Sequence, residues 1–231
     1  NMTVAAIARP APRRARPFEK TRTKTPLWQR LWLGREISPT REEHAAMVDE
    51  LWNGDAEMDR LLDWLYTHEP KQGRALFNRA LEHGIDSVPD APEPLQRFFR
   101  LVEKRPSWVE PELLDEAVRF MHRTGLAAPY VLRDLGLMGG YMLSGFNKTL
   151  VLTGALNKGA SARIAETGKW WIDCTETDGM RRGGPGYKST LHVRLVHALV
   201  RRNLQKRPDW DSSEWGLPVS QVDMIATYLA F

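Results

Sequence analysis

The chain has 231 residues, 42% hydrophobic and 27% charged, which is the make-up of a globular protein and not of a disordered one. At this length one domain can bury most of what its unfolded form exposes, so no covalent staple is needed. The lone cysteine, Cys174, excludes an internal disulfide, a Cys-x-x-Cys motif and a Cys-x-x-Cys-His haem attachment. The net charge of +4 is unevenly spread. Residues 1–25 hold seven basic residues against Glu19, a net +6, and the remaining 206 residues carry −2. The high pI therefore describes an arm and not a basic binding face, so no nucleic-acid partner is expected.

In chain order, residues 1–25, with Pro10, Pro12 and Pro17, read as a flexible or docking arm, and 26–231 as one helical domain. Arg13-Arg14 is followed by no apolar segment of the kind a twin-arginine signal needs. Thr40 and Glu43 form a capping box that opens a helix near Arg41. Met58, Leu61, Leu62 and Leu65 fall at i, i+3, i+4 and i+7, one apolar helical face. Prolines at 70, 89, 92, 106 and 111 punctuate the next segments, with Pro111 suited to a first helical turn. Leu113, Leu114, Ala117, Val118 and Met121 keep helical spacing up to Gly125. The apolar run Leu135–Leu156 is interrupted by Lys148, so it is read as a buried helix and not as a membrane span. A glycine-rich loop, Asp178–Gly186, precedes a helix over about Ser189–Gln205, and Ser220 with Asp223 caps a last one. No period-2 strand, repeat or heptad run occurs. The expected fold class is all-α, a single helical domain.

Several chemistries are absent. No histidine stands in a Glu-x-x-His, His-x-x-Glu or His-Glu-x-x-His pattern, which excludes the usual di-iron and zincin signatures. Tyr187 breaks the Gly-Lys-Ser/Thr needed for a phosphate loop at Gly183–Thr190. Ser144 lacks the glycine that a nucleophile elbow requires two residues earlier.

The helix Leu191–Arg201 is apolar over most of its circumference, and Arg194, His197 and Arg201 form one narrow polar stripe at i, i+3 and i+7. An imidazole between two guanidiniums is disfavoured as a cation, and a neutral imidazole is what a metal takes. The arginines suit buried anions, whether a ligand's or the protein's own. Periodicity leaves open a solvated stripe with one satisfied histidine. On the preceding helix Arg163, Glu166, Thr167 and Trp170 repeat the i, i+3, i+4, i+7 pattern, which by itself reads as an ordinary exposed Arg–Glu pair with neighbours.

Arg163-x-x-x-Thr167, the glycine-rich loop, and Val193-Arg194-Leu195-Val196-His197-Ala198-x-Val200-Arg201 together resemble the latex clearing protein and MpaB-type oxygenase family. The resemblance is strongest from about Gly125 to Phe231, with Trp215-Gly216-Leu217-Pro218 included, and fades towards Thr40. It implies an all-helical haem b protein that uses dioxygen on an apolar substrate, a small molecule or a polymer, with isoprenoids among the candidates. It makes His197 the proximal iron ligand and Arg201 a haem-pocket residue with Arg194. Arg163 and Thr167 fall near the distal face, where Arg163, Glu166 and Thr167 would be the catalytic set. Two positions depart from the latex clearing proteins. Glu166 stands where they carry a distal lysine, and Asn147 where they carry an acid proposed as base. The resemblance therefore implies little cleavage of polyisoprene, and it leaves two alternatives: a non-catalytic haem-binding or sensing protein, or a helical interaction protein using the arm. The chain also stops earlier than the family's usual extent, as a fragment or trimmed C-terminus would.

Overall fold

A computed structural model describes residues 9–67, 70–125, 127–140, 144–154 and 160–230. Among these, all regular structure is helical. The helices are α1 (Leu27–Leu33), α2 (Arg41–Asp49), α3 (Ala56–Thr67), α4 (Pro70–His83), α5 (Glu93–Glu103), α6 (Pro111–Arg123), α7 (Ala127–Val131), α8 (Met138–Gly140), α9 (Ser144–Leu152), α10 (Ala160–Thr175), α11 (Pro185–Leu204), α12 (Ser212–Trp215) and α13 (Gln221–Ala230). No described helix is long and apolar enough to cross a membrane.

Local rules account for several boundaries. Thr40 accepts from the Glu43 backbone N–H while the Glu43 carboxylate accepts from the Thr40 N–H, the reciprocal cap expected for α2. Pro111 opens α6. Ser220 accepts from the Asp223 backbone N–H at the start of α13. α11 begins at Pro185, four residues before the sequence expectation. Pro185 lacks the N–H that a first helical turn would leave unpaired, and extended Gly184 sits ahead of it.

The core forms where α3 meets α4, α5 and α11. The α3 face read from spacing is buried in full: Met58, Leu61, Leu62 and Leu65. It packs with Phe77 of α4, Phe98 and Phe99 of α5, and Leu191, Leu195 and Ala198 of α11. The three phenylalanine rings lie 5.5–6.4 Å apart, within the range of favourable tilted and edge contacts. Gly73 lets α4 approach α3, since a Cβ there would meet Leu65 at 2.5 Å.

Two expectations are corrected. Leu135–Leu156 is not one buried helix. It runs through a π-helical stretch (Leu132–Leu137), α8 and α9, with residues 141–143 and 155–156 outside the described set. Leu135, Met138 and Val151 are exposed. α6 is helical as its spacing indicates, yet it buries none of its residues, and Leu113, Leu114 and Phe120 are exposed.

The arm is held to the body over Pro10–Arg16. Pro10 O accepts from Trp52 Nε1 and Arg16 O bonds the His44 ring. Arg14 pairs with Asp223 at 2.8 Å in a half-buried bridge, and Arg13 reaches Asp211 and Glu214. Two of its charges therefore serve as fasteners.

Candidate functional site

α11 presents two faces at once. Leu191, Leu195 and Ala198 enter the core, and the polar stripe turns towards α3. Arg194 donates through Nε and Nη2 to both oxygens of Asp55, at 2.7 and 2.9 Å, and its guanidinium lies 5.1 Å above the Phe98 ring. Arg201 donates from Nε to Asp59 at 3.0 Å and from Nη1 to Val219 O at 2.8 Å. The stripe is thus internal, and the solvated alternative does not describe it. Arg201 is the more buried arginine, its side chain 4% exposed. Its Nη2 is buried without a hydrogen-bond partner among the described residues. A Cβ at position 54 would meet Arg201 Nε at 2.5 Å, so Gly54 gives the guanidinium its room.

The acids come from the start of α3. Asp55 also accepts from the Met58 backbone N–H, and Asp59 lies one turn further on. Burial raises the Asp55 carboxyl, but the Arg194 hydrogen bonds and charge outweigh it and the net shift is downward. At Asp59 burial dominates and the nearby Arg201 does not fully offset it, so that carboxyl titrates above its usual range.

His197 lies on the same stripe between the two arginines, half-buried. Burial lowers its pKa to about 4, with the Arg201 charge adding to the effect and Asp55 opposing it. The imidazole is therefore neutral at physiological pH, and its ring makes no hydrogen bond among the described residues. His192, on another side of α11, is exposed.

α10 runs antiparallel to α11, and the register is fixed by close contacts near the connecting loop. Gly186 sits against Cys174, whose Cα a Cβ at 186 would strike at 2.6 Å. One turn on, Trp170 Nε1 donates to Thr190 Oγ1 at 3.0 Å. Continuing that register by one turn on each helix brings Thr167 to the level of Val193, and by two turns brings position 163 to that of His197. Positions 163, 167, 170 and 174 are spaced i, i+4, i+7 and i+11, one stripe of α10, and Trp170 and Cys174 of that stripe meet α11. Thr167 on it is half-buried, whereas Glu166 lies on the flank and is exposed. The Arg163 side chain lies outside the described residues. Asn147 in α9 is half-buried. Spacing singled out His197 and its arginines but not Asp55 and Asp59, whose role depends on packing between helices. The only hint of them was the density of acids at the start of α3.

The donor set can be tested against a metal or cofactor. Among the described residues no group of three or more His, Cys, Asp or Glu side chains converges to hold a metal ion. A single neutral histidine suits an iron whose other donors belong to a macrocycle, and it does not suit a centre built from protein ligands alone. The Nη2 amino group of Arg201 is a further donor that is unused among the described residues.

Fold and site together define an all-α protein with a neutral, half-buried histidine flanked by two inter-helix ion pairs. Over 141 residues the chain is 28% identical to a rubber oxygenase of Streptomyces sp. (strain K30), covering 59% of this chain and 34% of that protein. The chain is thus a distant relative of rubber oxygenases and aligns with about a third of that protein's length. No family model and no solved structure matches it.

Proposed function

We propose that this chain is a haem b-dependent oxygenase, acting with dioxygen on an apolar substrate, with isoprenoids among the candidates. The observation that carries the reading is His197, kept neutral between Arg194 and Arg201 on the inner stripe of α11, in a chain distantly related to a rubber oxygenase. Haem, when bound, supplies iron chemistry with dioxygen. His197 offers the iron a neutral nitrogen lone pair, and the two ion pairs hold α11 so that this nitrogen keeps its direction. Arg194 is neutralised by Asp55, and the Nη2 amino group of Arg201 is the donor proposed for an anionic edge. Thr167 contributes a hydroxyl donor from α10, and Arg163 is assigned to the cofactor with it. Glu166 contributes a carboxylate. Asn147 can donate and accept hydrogen bonds but cannot serve as a carboxylate base.

The test is the optical spectrum of purified protein, with and without added haem. Wild type should develop a Soret band, and His197→Ala should lose most of it at unchanged helical content. Equal haem uptake by His197→Ala refutes the assignment. The departures at Glu166 and Asn147 favour one second reading, a haem-binding protein without turnover. Oxygen consumption with an apolar substrate separates the two.

A further inference from the structure

The segment around α1 is unlike the rest of the molecule. α1 buries none of its residues, and Leu27, Trp28, Leu31 and Trp32 are 71%, 66%, 76% and 81% exposed. At 100° per residue these four lie within one 140° arc, a single apolar face. Among the described residues, none of α1 belongs to the core cluster or packs against it. Instead the loop carrying it is cinched at its base. The Thr23 backbone N–H donates to Ser38 Oγ at 2.9 Å, Ser38 Oγ donates back to Thr23 O at 2.8 Å, and the Ile37 N–H donates to Thr25 Oγ1 at 2.9 Å. Residues 23–38 thus form a closed excursion that displays an apolar helix, with Ile37 exposed beside it.

The surroundings of this face are basic. Residues 16–35 carry six Arg and Lys against Glu19. Arg30 and Arg35 pair with Glu36 and Glu43. Lys20, Arg22 and Lys24 are exposed and have no acidic partner among the described residues. A projecting tryptophan–leucine face beside unpaired lysine and arginine matches an anionic lipid surface. Indole rings settle at the headgroup level with the ring in the acyl boundary and the N–H wet, while basic side chains meet lipid phosphate and carboxylate. An apolar protein groove would account for the tryptophans but not for the unpaired cations.

We propose that α1 and its basic flank form an interfacial anchor, which seats this protein on an anionic lipid surface without spanning it. The proposal is independent of haem and of His197. Each lysine or arginine near such a surface contributes about 1 kcal/mol, roughly fivefold in partitioning, and the apolar face adds to this.

The experiment is co-sedimentation of the full chain with vesicles of phosphatidylcholine and phosphatidylserine, against phosphatidylcholine alone. Wild type should sediment with the anionic vesicles, and less so at high salt, where the charges are screened. The double variant W28S/W32S should lose about tenfold or more in partitioning, and K20Q/R22Q/K24Q should lose the preference for phosphatidylserine. Circular dichroism should be unchanged in both, because the replaced side chains are exposed. Quenching of wild-type tryptophan emission by bromine-labelled lipid reads the same contact without any substitution. Failure of wild type to sediment, or partitioning of W28S/W32S equal to wild type, overturns the proposal. So does a dimer in sedimentation velocity that W28S/W32S abolishes without any vesicle binding, since α1 would then be an interface between copies.

Discussion

Removing the Asp59 carboxylate should destabilise the protein far more than removing an exposed acid from the same helix. Asp59→Ala strips the carboxylate from Arg201, whose side chain is 4% exposed and whose remaining acceptor is Val219 O. Breaking a buried pair in this way costs about 3–5 kcal/mol. Asp59 itself is 34% exposed, so water can take part of its place and about 2–3 kcal/mol is expected. Arg201→Met keeps an apolar stem, leaves Asp59 free to hydrate and orphans Val219 O, at a cost of about 1–3 kcal/mol. The double variant should be less destabilised than the two singles added together, by about 1–2 kcal/mol, because the second substitution removes a group already left unpaired. Asp63→Ala is the control. Its partner Arg202 also joins α3 to α11, but Asp63 is 67% exposed, and a loss below about 0.5 kcal/mol is expected. Urea unfolding at neutral pH, followed by circular dichroism, measures all four variants, with unchanged slopes showing that stability alone has moved. A change of less than about 0.5 kcal/mol in Asp59→Ala, or a strictly additive cycle, would refute the claim that Arg201 is buried and held by this acid.

The remaining expectations rest on the same helices. In the haem-free protein His197 titrates near pH 4 when folded and near its ordinary 6.5 when unfolded, so its neutral form contributes fully above 6.5. That contribution falls away as pH drops from 6.5 towards 4, by up to about 3 kcal/mol. The pH dependence of stability in wild type should exceed that of His197→Gln across this window, and parallel curves would place the ring in solvent. In the haem-loaded protein, Glu166→Lys should move the spectrum towards a six-coordinate form if the residue faces the iron. An unmoved spectrum would leave Glu166 as the exposed flank of α10 that it is in this structure. With Asn147 in place of an acid, wild type should yield little or no product from polyisoprene while acting on a smaller apolar substrate. Efficient rubber cleavage would show that the base at that position is dispensable.

The sequence by itself determined whatever a single helix can express. The α3 face, the Thr40–Glu43 box, Pro111 as a helix start, Ser220 as a cap and the Arg194–His197–Arg201 stripe are all relations among residues within two turns of one another, where 3.6-residue periodicity and capping chemistry act. Tertiary structure alone decided what each stripe meets. Asp55 and Asp59 are 139 and 142 residues from the arginines they hold, and nothing in their local spacing names a partner. The pairing of Trp170 with Thr190, which sets the register of α10 on α11, is of the same kind. α1 and α6 show the converse. Leu27, Trp28, Leu31 and Trp32 of α1 and Leu113, Leu114 and Phe120 of α6 stay exposed while the α3 face is buried. An apolar face specifies that burial would be favourable, and only the packing of the other helices determines whether anything arrives to bury it.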